Sequence, residues 1–121
     1  MIQIKLNMRA VPSPRPLVSK FGTRMPKKYM EHKELVQAKI RAFKKFGNVP
    51  LRVELSFFFK AAKSAKRNKY PTPRGDADNY AKTYLDAMEG ILYENDVMIE
   101  ELVVTKKYGG GDVIFITIEE I

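Results

Sequence analysis

A chain of 121 residues, 45% of them hydrophobic, is long enough for one packed domain and too apolar for a disordered tail. It contains no cysteine, which excludes disulfides, thiolate zinc sites and a cysteine nucleophile, and no apolar run approaches the roughly 18 to 20 residues of a membrane span. The net charge of +8 is divided: residues 1–75 carry 19 Lys/Arg and 3 Glu, a balance of +16, whereas residues 76–121 carry 3 Lys and 11 Asp/Glu, a balance of −8. The basic part suits a polyanion such as nucleic acid, weighed against the plainer reading of a solvated surface with no partner, and the acidic part is where a cation would sit.

Along the chain, Ile2, Ile4, Leu6 and Met8 alternate with Gln3, Lys5 and Asn7, which predicts a half-buried strand and has no signal-peptide layout. The expectation is therefore a soluble cytoplasmic protein. Residues 9–28 carry Pro12, Pro14, Pro16 and Pro26 among Arg15, Lys20, Arg24, Lys27 and Lys28, and read as a basic, extended arm. Tyr29, Leu35 or Val36, Ile40, Phe43 and Phe46 recur near helical spacing, predicting a helix over 29–46 that Gly47-Asn48 would end. Val53, Leu55, Phe57 and Phe59 alternate within a second strand at 51–62. A second basic arm, 63–75, holds Lys63, Lys66, Arg67, Lys69 and Arg74 with Pro71, Pro73 and Gly75.

Tyr80, Tyr84, Leu85 and Met88 form the apolar stripe of a helix over 78–90, with Asp76 or Asp78 as its cap and Gly90 as its stop. After a tight connection, strands at 99–108 and 112–119 flank Gly109-Gly110-Gly111, which reads as a hairpin. Those three glycines precede no helix and no GK[ST] pattern, so they are no phosphate loop and imply no nucleotide cofactor. The order β-α-β-α-β-β over a single domain, 1–121, predicts an α+β fold with a mixed sheet and two packed helices.

The chemistry concentrates in Gly75-Asp76-Ala77-Asp78-Asn79. On extended backbone, carboxylates two residues apart point the same way, roughly 6 to 7 Å apart along the chain, and can converge on one hard cation. Asp96 lies 18 residues after Asp78, and a helix with a short return would bring it beside the pair. Three carboxylates without a neutralising partner suit Mg²⁺. The plain reading of Asp76-x-Asp78 is a helix cap followed by a turn. Lys82, one helical turn past Asp78, either holds a scissile phosphate or forms an ordinary i,i+4 pair with Asp78. Asp86 is either a supporting group or a polar helix position, with the second preferred.

The stretch from Asp76-Ala-Asp-Asn-Tyr-Ala-Lys through Leu85-Asp-Ala-Met to Asn95-Asp96 and the strand after it resembles the signature of the RusA family of Holliday junction resolvases. Pro12-Ser-Pro-Arg-Pro and Met25-Pro-Lys-Lys-Tyr resemble that family's Pro/Arg-rich arm. The resemblance implies a homodimeric, Mg²⁺-dependent endonuclease that makes paired nicks at four-way DNA junctions. It places the catalytic carboxylates on Asp76, Asp78 and Asp96 and the essential lysine on Lys82. Where some members have two adjacent aspartates, this chain has Asn95-Asp96, so position 95 brings no charge to a metal. Arg15, Lys20, Arg24, Lys27, Lys28, Lys66, Arg67, Lys69 and Arg74 are the residues expected to meet DNA phosphates. The competing readings are a non-catalytic basic nucleic-acid-binding protein and a nuclease for other branched DNA.

Among the remaining residues, His32 is the only histidine and stands on a lysine-rich stretch, which predicts surface placement and argues against a Ser-His-Asp triad and against an HNH or histidine-metal nuclease site. Phe57 and Phe59 are expected in the core, with Phe58 facing the other way. Glu94 is left open as a neighbour of the acidic cluster, and Tyr70 is the candidate for an aromatic contact with DNA.

Overall fold

The computed structural model describes residues 1–61 and 71–121. Its elements are β1 (Ile2–Leu6), β2 (Leu17–Ser19), β3 (Gly22–Arg24), α1 (Lys27–Ile40), β4 (Leu51–Lys60), α2 (Ala77–Met88), a 3-10 turn (Asp96–Met98), β5 (Ile99–Gly109) and β6 (Val113–Glu120). Four strands form a mixed sheet in the order β1-β6-β4-β5, and β2 and β3 form a separate two-stranded sheet. This is a small α+β domain, and without the β2–β3 insertion its order is the expected β-α-β-α-β-β.

Alternation decides which face of the sheet is buried. Leu51, Val53, Leu55, Phe57 and Phe59 of β4, Ile114, Ile116 and Ile118 of β6, and Ile4 and Leu6 of β1 are all buried. They form one core with Val36 and Ile40 of α1 and with Tyr80, Ala81, Tyr84, Ala87 and Met88 of α2. Phe58 stands out of phase, as expected, and meets Phe115 edge-on at 5.8 Å between ring centroids.

Three expectations need correction. First, Gly109-Gly110-Gly111 does not close a hairpin: β5 runs parallel to β4, β6 runs antiparallel to it, and β4 lies between them. Parallel β4 and β5 require a crossover connection, which α2 supplies. The glycine segment then crosses the end of β4, a gap of two strand spacings or about 9.6 Å. Four residue steps reach about 13 Å, so the crossing needs no further chain. It is fastened there by Asp112, whose Oδ1 accepts the Lys60 N–H at 2.9 Å.

Second, residues 9–28 are not extended throughout. Between Pro16 and Pro26 lies a proline-free stretch, and the β2–β3 hairpin forms within it, turning at Gly22 with φ +115°. Third, α1 runs from Lys27 to Ile40 instead of 29 to 46. Pro26 sets its start. Past Ile40 the Phe46 N–H leaves the helical ladder for the Leu92 carbonyl at 2.8 Å, and Phe43 and Phe46 pack against the core from outside any helix. β4 ends at Lys60, and Lys63, Lys66, Arg67, Lys69 and Tyr70 lie outside the described residues. No helix among the described residues is long and apolar enough to cross a membrane.

Candidate active site

Gly75 delivers the chain into α2. Its φ is +94°, and a Cβ there would stand 2.8 Å from the Tyr80 ring, so only glycine passes. The Tyr80 hydroxyl donates to the Arg74 carbonyl at 2.9 Å and holds the turn from beneath. Asp76 follows on extended backbone (φ −87°, ψ 135°) as the N-cap, and its side chain makes no cap hydrogen bond. Asp78 is already in the first helical turn. The condition for converging carboxylates, extended backbone across both residues, therefore stops at Asp76. On a helix, residues two apart do not face each other.

The helix groups its charges differently. Asp78, Lys82 and Asp86 are spaced i, i+4, i+8 and share one face. That face, with Asp96 from the 3-10 turn, lines a cleft of about 570 Å³ whose apolar floor includes Ala81, Leu85, Leu102 and Val104. The structure thus brings Asp78, Lys82 and Asp96 together, and adds Asp86; Asp76 stands outside the lining. Asp86 is the residue that sequence reasoning undervalued. Its spacing from Lys82 was the available signal, equal to that between Asp78 and Lys82.

What these groups leave undone is informative. Neither Asp78–Lys82 nor Lys82–Asp86 closes to an ion pair, although each is spaced for one. The six ion pairs among the described residues lie elsewhere: Arg9–Asp112, Lys27–Glu31, Lys45–Glu94, and Arg52 with each of Glu54, Glu101 and Glu119. Both plain readings, a capping aspartate and an i,i+4 pair, go unrealised at Asp76 and at Asp78–Lys82.

Asp96 is positioned by the segment after α2. Asn95 caps the 3-10 turn, its Oδ1 accepting the Val97 N–H at 2.9 Å, and the Asp96 N–H donates to Glu89 Oε1 at 3.3 Å. Behind them Tyr93 is buried and donates its hydroxyl to the Leu85 carbonyl at 2.9 Å. Burial, with the fields of Asp96, Glu89 and Asp86 added to it, pushes the Tyr93 hydroxyl pKa up, so it stays a neutral donor. Glu94 faces away, bound to Lys45, which holds its carboxyl below the usual range.

Carboxylates are the ligand type of a hard, oxygen-seeking cation, and among the described residues no cationic side chain forms an ion pair with the cleft carboxylates. Among the described residues no three acidic or imidazole groups stand close enough to hold one metal ion as they are. The donor set fits Mg²⁺ in kind, and the chain itself does not gather it.

The basic arm is fixed to the same helix. Ser13 N–H donates to the Asn79 carbonyl at 3.0 Å, Thr83 Oγ1 donates to the Val11 carbonyl at 2.8 Å, and Val11 N–H donates to the Tyr84 hydroxyl at 2.9 Å. The same Tyr84 hydroxyl is hydrogen-bonded to His32 Nε2, 3.0 Å away. His32 is therefore half-buried and hydrogen-bonded, not a surface residue, and burial lowers its pKa. Beyond this anchor Arg15, Lys20, Arg24, Lys27 and Lys28 are all exposed, as is Arg74 beside Gly75. Of these six only Lys27 has a carboxylate partner among the described residues, Glu31 at 3.9 Å.

A protein-family model described as endodeoxyribonuclease RusA matches residues 7–119, nearly the whole chain. No curated protein matches it.

Proposed function

Because the chain belongs to the RusA family of endodeoxyribonucleases, we propose that it is a Mg²⁺-dependent nuclease that resolves Holliday (four-way) junctions by paired, symmetric nicks in DNA recombination and repair. The observation that carries this reading is the cleft in which Asp78, Asp86 and Asp96 surround Lys82 without any ion pair among them, on a chain of net charge +8.

Asp78 and Asp96 would hold the metal from two walls of the cleft. Asp76, just ahead of the helix and with an uncapped side chain, is the third ligand of this reading, and Asp86 supports the set from one turn deeper. When bound, Mg²⁺ supplies an activated water and polarises the phosphodiester. Lys82 sits between the aspartates, where its ammonium opposes charge developing on the phosphate oxygens. Asn95 brings no charge and holds the turn that presents Asp96.

Arg15, Lys20, Arg24, Lys27, Lys28 and Arg74 neutralise backbone phosphates, joined in this reading by Lys66, Arg67 and Lys69. Binding accordingly weakens steeply with salt. A homodimer presents two clefts to a nearly two-fold junction, which gives one nick in each of two opposed strands. The protein acts in the cytoplasm of a bacterial or phage-infected cell.

The test is cleavage of a synthetic four-way junction in Mg²⁺, with flap and duplex substrates of the same length beside it. Asp78→Asn should cut at least about 10²-fold more slowly while binding the junction like the parent. Undiminished cutting by that variant removes Asp78 from the site, and equal cutting of flaps and junctions makes the protein a nuclease of broader branched DNA.

A further inference from the structure

The β2–β3 hairpin projects from the domain with all six of its strand residues exposed. A lone two-stranded hairpin is marginal in water and gains little from a polar, solvent-facing life. This one carries large apolar side chains at its tip and flank: Phe21 is 88% exposed and Val18 81%. A single exposed apolar residue needs no explanation, but an aromatic ring at the apex of a protrusion is presented to something.

The tip is built to present it. Ser19 Oγ accepts the Phe21 N–H at 3.2 Å and donates to the Gly22 carbonyl at 3.3 Å, which closes the two-residue loop Lys20-Phe21. Lys20 Nζ lies 5.1 Å from the centroid of the Phe21 ring, a cation–π contact that covers one ring face and leaves the rest open. The root of the hairpin is as firmly held, since Val11 and Ser13 are hydrogen-bonded to α2 and α1 begins at Lys27.

Its surroundings identify the partner's chemistry. Residues 1–30 contain no Asp or Glu, so the ring is carried on an arm that is purely basic. A polyanion with an accessible π-face satisfies both features, and that is a nucleic acid with an unstacked base. Aromatic rings stack on such bases at a gain of roughly ten-fold or more in affinity each. Inside an intact duplex the ring would first have to open a base step. At a branch point the flanking bases have already lost a neighbour on one side, and that cost falls.

We propose that Phe21 is a specificity-determining residue, a wedge at the tip of the β2–β3 hairpin that stacks on an unstacked base at the branch point and so separates branched DNA from duplex. This rests on the branched-DNA reading given above. Lys20 and Arg24 hold the phosphates on either side of the inserted ring.

The test compares the parent protein, Phe21→Ala and Phe21→Trp in Ca²⁺, which supports binding without turnover in this design. The probes are a four-way junction and a duplex of equal length, each labelled for anisotropy, and a junction with 2-aminopurine beside the branch point. Phe21→Ala should weaken junction binding about ten-fold or more and leave duplex binding within about two-fold, and Phe21→Trp should restore the preference. Junction binding should raise 2-aminopurine emission with the parent and the Trp variant but not with the Ala variant. Equal weakening on both substrates, an unchanged 2-aminopurine response, or a change of oligomeric state in Phe21→Ala on sedimentation each overturns the wedge, the last by making the tip a subunit contact. If the parent protein prefers the junction but Phe21→Ala does too, the wedge alone fails. If the parent shows no preference for the junction and cuts none, the proposed function fails first.

Discussion

The two faces of the sheet handle charge in opposite ways. On the helix-free face, Arg52 reaches Glu54 at 3.2 Å, Glu101 at 3.4 Å and Glu119 at 3.6 Å. Glu101 and Glu119 are its register partners on β5 and β6, so the ladder itself sets opposite charges side by side. On the helix side, Asp78, Lys82 and Asp86 have the spacing for two ion pairs and make neither, and Asp96 joins them unneutralised. Where charge serves the fold, geometry closes it. Where it is held open around a cleft, it is available to a ligand with charges of its own.

The largest effect should come from removing Lys82, the one cation among the described residues that line the cleft. Lys82→Ala should lower the rate of junction cleavage about 10²–10³-fold, the usual loss when a single stabilising donor of the transition state is removed. Junction affinity in Ca²⁺ should stay within a few-fold, because the proposed function gives most of the phosphate contact to the exposed arginines and lysines of the arms. The melting temperature should hold or fall slightly, since no ion pair is lost but three aspartates then face the cleft without the cation among them. A large drop in affinity with little change in the single-turnover rate would recast Lys82 as a binding residue.

A smaller effect tests what fastens the arm to the catalytic helix. Tyr84→Phe strips an acceptor from the Val11 N–H and a hydrogen-bond partner from His32 in a buried place, which costs roughly 1–3 kcal/mol and several degrees of melting temperature. Tyr84 is buried on the core side of α2 and is not among the described residues that line the cleft, so cleavage per folded molecule should persist. Calorimetry beside single-turnover cleavage separates the two. A melting temperature equal to the parent's would mean that the Tyr84 hydroxyl holds nothing in place.

His32 adds a pH dependence to the same anchor. Burial lowers its pKa in the folded chain, so the unfolded chain takes up the proton first as pH falls. Stability is then fully present above the unfolded value near 6.5, and declines as pH drops from there toward the lower folded value. Urea melts across pH 7.5 to 5 should show the decline in the parent, and His32→Gln should flatten it. A parent curve already flat in that range would place His32 in water.

Much of this was legible in the sequence because it rests on short-range periodicity. The strict alternation of Val53, Leu55, Phe57 and Phe59 marked the central strand and its buried face, and the match from Asp76 to Asp96 marked the family. The glycine run misled because local signals name a turn without naming its neighbours. Whether Gly109–Gly111 joins adjacent strands or steps across β4 is decided by the pairing of β4 with both β5 and β6, which no local pattern states. The extended backbone expected across both Asp76 and Asp78 stops at Asp76 for a similar reason, because the helix already starts at Ala77, and Asp76 is outside the described lining of the cleft that Asp78, Lys82 and Asp86 share.

The smallest effect sharpens the comparison from its quiet side. Arg52→Met keeps much of the side-chain volume and removes the charge that three glutamates share. Exposed and half-exposed pairs contribute little singly, and the loss should be small, enlarged somewhat because Glu101 and Glu119 then flank a residue that no longer separates their charges. High salt should shrink it, and so should a pH low enough to protonate the glutamates, because screening and neutralisation act on repulsion and not on packing. Cleavage should remain within about two-fold of the parent at every salt concentration where both are folded, as expected of a site that only closes the sheet's own charge. Loss of cleavage by a folded Arg52→Met protein would erase the division between the two faces and bring the helix-free side of the sheet into contact with DNA or a second subunit.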